Sequence, residues 1–217
     1  MSYVFFPSCK VTAAFPEPSK KLAAYLYQKL HITPIGCCRS HHQQLTSKDT
    51  ALVICNNCAA IIDESAHAGK LLYVWEIIDQ DPDFIFPNYQ GETMTIRDCW
   101  LAAQRQEVQQ VVRALLRKMH IHYLELADNF AKAPYCGANL LEPATESNKK
   151  LAPVMYLQRG KALFQPHSKE EQIRQLQKQC ANITTEKVVC YCRPCTAGII
   201  KGGKKGLHLI ELLFPAN

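Results

Sequence analysis

The chain has 217 residues, a formal net charge of +6 and a mean hydropathy of −0.16. Hydrophobic residues make up 47% of it and charged residues 20%, the composition of a globular protein that buries a core. No apolar run approaches the roughly 18–20 residues of a membrane span, and the N-terminus lacks the basic start of a signal peptide. We therefore expect a soluble cytoplasmic protein without a membrane span.

The positive charge is spread along the chain. Its densest run is Lys-Gly-Gly-Lys-Lys-Gly at 201–206, which does not fit the strand–GxxxxGK[ST]–helix pattern of a phosphate-binding loop. We interpret this run as a solvated turn between a helix and a strand, and we expect no nucleic-acid partner. A mildly basic surface would instead help an acidic redox partner to dock.

The first half of the chain alternates strand-like and helical patterns. Short apolar, β-branched runs predict strands, and apolar residues three and four apart predict helices. In chain order we predict a strand at 3–6, a helix at 16–30, an extended segment at 31–36, a strand at 51–54, a helix at 57–66, a strand at 71–74 and the start of a helix at 76–78. Residues 79–92, with two prolines and a glycine, predict a connector.

Five cysteines follow the strand-like segments of this half: Cys9, Cys37, Cys38, Cys55 and Cys58. Ligands of open α/β sheets bind at the carboxyl ends of strands, so three separate loops are expected to bring these thiols together. The odd total of eleven cysteines and the adjacent pair argue against a disulfide scaffold. Five thiolates exceed by one what a tetrahedral zinc needs, which favours an iron–sulfur cluster.

The second half repeats these patterns in the same order. A strand at 94–96 leads to Cys99, a helix covers 108–119, an extended segment lies at 121–126, and Cys136 follows it. Residues 142–166 predict a variable excursion, and a helix at 168–180 precedes a strand at 187–190 and a second Cys-x-x-Cys at Cys192 and Cys195. Local matches between the halves indicate a duplicated α/β unit.

The predicted fold class is therefore α/β, with two pseudo-symmetric Rossmann-like half-domains and cysteine loops at the carboxyl ends of the strands. We place the N-terminal half-domain, which carries the complete five-cysteine motif, at residues 1–90. The C-terminal half-domain, whose motif is altered, covers residues 91–217.

With this repeat, the chain resembles the cysteine-rich CCG-domain family. That family includes the catalytic subunit of heterodisulfide reductase, the iron–sulfur subunit of glycolate oxidase and a lactate-utilisation protein. Its motif is Cys, then Cys-Cys-Gly, then Cys-x-x-Cys, occurring twice. Asp98-Cys99-Trp100 is similar to the family's Asp-Pro-Cys-His segment, and Arg113-Ala-Leu-Leu to its Pro-Arg-x-Leu-Leu helix. Arg39 departs from the motif, since the family has Gly there.

The resemblance implies that the five N-terminal cysteines hold a noncubane 4Fe–4S cluster. In the second copy Cys99, Cys136, Cys192 and Cys195 match the motif, Tyr135 replaces the first cysteine of the pair, and Cys190 is an extra thiol. Residues two apart in a strand point to the same side, so Cys190 could reach this site. A 4Fe–4S cluster on four thiolates, a zinc on the same four, and a second noncubane cluster with Cys190 or Tyr135 as substitute all stay open.

His41 and His42 follow the cysteine pair and are candidate proton donors beside a cluster that reduces a disulfide. No ferredoxin-type cysteine run is present in the sequence, so electrons would come from a ferredoxin-like or other iron–sulfur donor protein.

The leading function is thus a redox protein, an oxidoreductase of the disulfide-reductase type, that acts on a small thiol or disulfide. The alternatives are a non-catalytic electron-relay or cluster-carrying subunit of a larger complex and a zinc-stabilised structural protein.

Overall fold

The computed structural model describes residues 2–216, without the side chains of residues 138 and 139. Strands and helices alternate along this part of the chain, which confirms the α/β class. The strands are β1 (Ser2–Phe6), β2 (Asp49–Val53), β3 (Lys70–Tyr73), β4 (Thr93–Ile96), β5 (His122–Leu124), β6 (Lys187–Cys190) and β7 (Lys205–His208).

The α-helices are α1 (Cys9–Ala14), α2 (Pro16–Leu30), α3 (Cys38–His41), α4 (Asn56–Ser65), α5 (Val74–Gln80), α6 (Gln106–Lys118), α7 (Glu146–Leu151), α8 (Lys169–Cys180), α9 (Arg193–Lys201) and α10 (Leu209–Leu213). Short 3-10 turns lie at His42–Gln44, Trp100–Ala102, Phe130–Lys132 and Gly137–Leu141, and a π-helical turn at Val154–Arg159. Among the described residues, none of these helices combines the length and the apolar character needed to cross a membrane.

The strands form two parallel sheets, with the orders β1-β2-β3 and β5-β4-β6-β7. Parallel neighbours need a crossover connection, and the intervening helices supply it. All carboxyl ends of one sheet therefore lie at one edge. The buried residues of both sheets and their helices belong to one continuous hydrophobic core.

The second sheet repeats the first in order. Strands β4, β6 and β7 correspond to β1, β2 and β3, and β5 lies beside β4. In the first half a single parallel bridge between Phe5 and Pro34 occupies the position of the β4–β5 pairing. Proline has no N–H to donate to a ladder, which explains why this pairing does not extend into a strand. The β1–β3 sheet lies before residue 90 and the other sheet after it, while the domain boundary itself stays a prediction.

Local conformation repeats as well. His31 and His120 both adopt the left-handed region, with φ of 54° and 53°, directly after or two residues after the corresponding helix. Tyr73 and His208 each lie directly before a helix, and each backbone N–H donates to a glutamate three residues on, at 2.7 Å to Glu76 and 2.8 Å to Glu211. Matching backbone features at matching positions support a duplicated unit.

The main boundary difference from the predictions lies at the end of β3. We predicted a strand to Val74, but Val74 is the first residue of α5. The Glu76 carboxylate accepts the Tyr73 N–H, so the helix starts at Val74, two residues before the predicted start.

His208 is fully buried at the start of α10. Its Nδ1 accepts the N–H of Ile210 at 3.2 Å, so the neutral ring carries its proton on Nε2. Nε2 has no partner among the described residues, and the ring lies beside Phe15, with the two ring centroids 5.2 Å apart. Burial lowers the pKa of His208 from 6.5 to about 3, because a charged ring in this apolar position has lost its water.

This burial predicts acid sensitivity. The unfolded chain takes up a proton on His208 below pH 6.5, whereas the folded chain does not until about pH 3. The stabilisation is complete above pH 6.5 and is lost as the pH falls toward 3. Lowering the pH from 7 to 5 should remove about 2 kcal/mol of unfolding free energy through this group. Urea unfolding at both pH values measures it. His208→Asn keeps a helix-capping acceptor without the titration, so equal pH slopes in the two proteins would refute the prediction.

Candidate metal centre

Four cysteines of the second half form a compact buried group. The Sγ atoms of Cys99, Cys136, Cys192 and Cys195 all lie within 4.8 Å of one another, and those of Cys99 and Cys136 are 3.7 Å apart. Four thiolates around one tetrahedral zinc, with Zn–S bonds of about 2.3 Å, place their sulfurs about 3.8 Å apart. The group is therefore shaped to hold a metal ion or a small iron–sulfur cluster. Of the residues that the structure describes, these four alone form such a compact group.

Helix starts position these thiols. Cys99 follows β4 and precedes the 3-10 turn at Trp100–Ala102, and Cys192 is the residue before α9. Cys195 lies in the first turn of α9. The free N–H groups and the dipole at a helix start favour negative charge, so these positions stabilise thiolate ligands.

The four thiols share their protons unevenly. Burial opposes the thiolate of Cys99, yet the three neighbouring thiols and the nearby Asn56 amide outweigh it and hold the pKa of Cys99 well below its ordinary value. Burial is the main reason that the pKa of Cys195 is raised well above its ordinary value. The first proton therefore leaves readily and the last does not. A bound cation would stabilise the remaining thiolates.

A buried carboxylate supports the loop of Cys99. Asp98 is fully buried, accepts two hydrogen bonds from Arg113 at 2.9 and 3.2 Å, and accepts the Tyr191 hydroxyl at 2.9 Å. Tyr191 immediately precedes Cys192 in the chain. Asp98 therefore links the loop that carries Cys99 to the loop that carries Cys192.

The five N-terminal cysteines line one cavity at the carboxyl edge of the first sheet. They form a string of hydrogen-bonding neighbours that runs from Cys9 through Cys37, Cys38 and Cys58 to Cys55. Cys9 is exposed at one end of the string and Cys55 is buried at the other. This set is thus more extended than the compact group of four.

Local contacts favour a thiolate at the buried end. The pKa of Cys55 is lowered to about 6, first by its hydrogen bond with Cys58 and also by the Ser8 hydroxyl. Ser8 is buried and adopts a φ of 60°, a strained conformation for a residue with a side chain. The strain lies directly before Cys9, at the turn from β1 into α1.

The cavity lies between the two cysteine sets. Cys192 of the compact group also lines it, as do the cations Lys10, Arg39 and Arg193 and the acid Glu142. The cavity is also lined by Pro143, Ala144, Thr145, Asn148, Tyr156 and Phe164. We predicted residues 142–166 as a variable excursion, and in the structure several residues of this segment line the cavity.

The structure does not bring every predicted residue to a site. His41 and His42 direct Nδ1 to the carbonyl oxygens of Cys37 and Cys38, at 3.2 and 3.0 Å. Neither imidazole is among the described side chains that line the cavity. The histidines therefore contact the backbone of the cysteine pair, and proton donation by them stays a prediction.

Cys190 also lies outside the compact group, and the Tyr135 hydroxyl contacts the backbone of Cys195. Cys190 is the last residue of β6 and is fully buried, and this burial raises the pKa of its thiol, which opposes the thiolate form that a metal ligand needs. The Tyr135 hydroxyl donates to the carbonyl oxygen of Cys195 at 3.3 Å. Their role as substitute ligands stays a prediction without support from these contacts.

Several residues at the sites were not predicted from the sequence. Ser8, Asn56 and Asn148 contact cysteines or cavity residues. The sequence could have indicated Asn56, because a polar amide between the two cysteines of Cys-x-x-Cys is placed to hydrogen-bond near the ligands. Nothing in the sequence indicated Asn148, since its contact with Arg39 joins residues 109 positions apart.

The resemblance to the CCG-domain family rests on the motif residues and on their order in the chain. Comparisons of the chain with protein-family models, with curated proteins and with solved structures found no match.

Proposed function

We propose that this chain is an iron–sulfur redox protein of the CCG-domain type. In this proposal the N-terminal cysteines hold a noncubane 4Fe–4S cluster, and the neighbouring cavity binds a small thiol or disulfide. One observation carries the proposal: all five N-terminal cysteines line a single cavity together with Cys192 of the compact group. A separate ferredoxin-like or iron–sulfur protein would supply the electrons.

The thiol arrangement fits an extended cluster better than a single ion. A zinc site needs four donors that are mutually close. The N-terminal thiols instead form a string of five, from exposed Cys9 to buried Cys55. Lys10, Arg39 and Arg193 line the same cavity and would offset the negative charge of several thiolates. The donor set and its charge balance thus suit a cluster with more than one metal atom.

The same cations favour a substrate that carries a carboxylate or another anionic group. Arg39 is oriented by Asn148, whose Oδ1 accepts from its guanidinium at 2.7 Å. The Nε of Arg39 is buried and has no partner among the described residues, so it is free to donate to a ligand. Arginine binds planar oxyanions well because its donors are fixed in one plane.

A bound cluster would supply single electrons and an iron atom with affinity for sulfur. Reduction of a disulfide consumes two electrons and two protons and releases two thiols. The chain's own residues would orient the substrate and limit its contact with water. The Tyr156 hydroxyl donates to Asn57 at the cavity wall, and burial keeps Tyr156 protonated by raising its pKa.

The compact group supports a second candidate role. Four mutually close buried thiols suit either a cubane cluster that relays electrons or a structural zinc. Cys192 belongs to this group and also lines the cavity, so a relay there would lie beside the proposed substrate site. We therefore propose relay for the C-terminal set and substrate chemistry for the N-terminal set.

Metal analysis tests this assignment. Anaerobically purified protein is expected to be coloured and to contain iron and acid-labile sulfide. Cys38→Ala should lose the N-terminal share of the iron, and Cys136→Ala the C-terminal share, because each change removes one ligand. Iron and sulfide determination with absorption spectra measures both losses.

The matched control is Cys180→Ala, since Cys180 is a buried thiol outside both sets. It should keep the full metal content. Colourless protein with zinc alone would refute the iron–sulfur function, and Cys38→Ala with unchanged iron would refute five-thiolate ligation.

A further inference from the structure

One buried side chain joins the two cysteine sets. Asn56 lies inside the N-terminal Cys-x-x-Cys, between Cys55 and Asn57, and is fully buried. Its Oδ1 accepts the hydroxyl of Tyr73 at 2.9 Å, and Tyr73 is also fully buried. This bond fixes which end of the amide faces Tyr73, so Nδ2 points away from it.

The free end of this amide lies at the other site. Nδ2 is buried and makes no well-formed hydrogen bond with any described residue. The neighbouring acceptor is the sulfur of Cys99, because α4, which Asn56 begins, packs against the turn at Trp100–Ala102 directly after Cys99, and the amide lowers the pKa of the Cys99 thiol. Buried donors without an acceptor are rare in folded proteins, and a metal-bound thiolate is a stronger acceptor than a thiol.

The arrangement is reciprocal. In the repeat, Arg193 and Pro194 occupy the positions of Asn56 and Asn57 between the two cysteines of Cys-x-x-Cys. Both Arg193 and Pro194 line the cavity of the N-terminal cysteines. Each Cys-x-x-Cys loop therefore supplies residues to the surroundings of the opposite set.

We propose that Asn56 is a positioning residue of the C-terminal centre, which it tunes by an N–H···S hydrogen bond to the sulfur of Cys99. Tyr73 orients the amide for this bond. The inference rests on the proposed function only in that the four compact thiols bind a metal. A hydrogen bond to a ligand sulfur stabilises the more negative, reduced state of an iron–sulfur centre and so raises its reduction potential.

The test compares reduction potentials in the Cys38→Ala background, where the C-terminal centre remains. Asn56→Leu, which keeps the approximate volume and removes the donor, is expected to lower the one-electron reduction constant about tenfold, or about 59 mV. Tyr73→Phe keeps Asn56 but frees its amide and should shift the potential in the same direction by less. Tyr89→Phe is the control, because it also removes a tyrosine hydroxyl, one that donates to the carbonyl oxygen of Leu212 at 3.0 Å, and it should leave the potential unchanged.

If the centre holds zinc alone, the proposed iron–sulfur function is wrong. The role of Asn56 can then be tested by a separate measurement on the zinc protein. Zinc release to a chelator should then be about tenfold faster in Asn56→Leu than in the parent protein, since losing a hydrogen bond around a metal site weakens binding by about that factor. An unchanged potential in the iron protein, or unchanged release in the zinc protein, would overturn the role of Asn56. A shift in Tyr89→Phe equal to that in Asn56→Leu would overturn it as well.

Discussion

Gly137→Ala is expected to abolish metal binding at the compact group and to lower the free energy of unfolding by about 4 kcal/mol. A Cβ at this position would lie 1.9 Å from the carbonyl oxygen of Pro194 and 2.7 Å from Cα of Cys195. Both are backbone atoms of the loop that carries two of the four thiols, so relief of the clash must move that loop. Gly137 also adopts a φ of 52°, which is unfavourable for alanine. Metal content and urea unfolding measure the two effects.

Gly203→Ala separates backbone strain from the steric clash. Gly203 has a φ of 86°, but no atom lies within 4 Å of its Cβ position. The free energy of unfolding of this variant should fall by about 1–2 kcal/mol, which is the cost of the left-handed conformation alone. Its metal content should be unchanged. Equal losses in the two variants would mean that the packing of Gly137 against the Pro194 carbonyl is unimportant.

The repeat made much of the fold predictable. Short apolar runs before Cys9, Cys55, Cys99 and Cys192 predicted the strands that carry the thiols, because a buried parallel strand reads as a continuous apolar run. The order of the matches predicted two similar halves, and the two sheets have the same order of corresponding strands. The segment at residues 142–166 has no counterpart in the first half, so no internal comparison could place it.

The site was predictable as a set of residues but less so as a geometry. The second motif copy named the four thiols that the structure brings together. We predicted Cys190 as a possible further ligand because the side chains of residues two apart in a strand point to the same side. This relation holds only within a strand, and β6 ends at Cys190 itself, two residues before Cys192. Asn56 could not be assigned from spacing, because its contact with Cys99 depends on how the two halves pack.

Arg113→Met is expected to lower the free energy of unfolding by about 3–5 kcal/mol, because it leaves a buried charge without its partner. The Arg113 guanidinium is buried and binds both oxygens of Asp98, which is fully buried. It also donates to Glu125 at 2.5 and 2.8 Å. The remaining donors to Asp98 are the Tyr191 hydroxyl and the backbone N–H of Phe130, neither of which carries charge.

A double variant distinguishes this charge effect from lost packing. Asp98→Asn removes the buried charge, so Arg113→Met combined with Asp98→Asn should be less destabilised than the sum of the two single variants, by more than about 1 kcal/mol. Arg174→Met breaks an exposed pair with Glu171 and should cost no more than about 0.5 kcal/mol. Because Asp98 holds the Cys99 loop against the Cys192 loop, Arg113→Met should also lose metal from the compact group. If the unfolding free energies of the two single variants add up to that of the double variant, the predicted charge coupling between Asp98 and Arg113 is absent. If Arg113→Met also keeps its full metal content, the pair does not position the thiols.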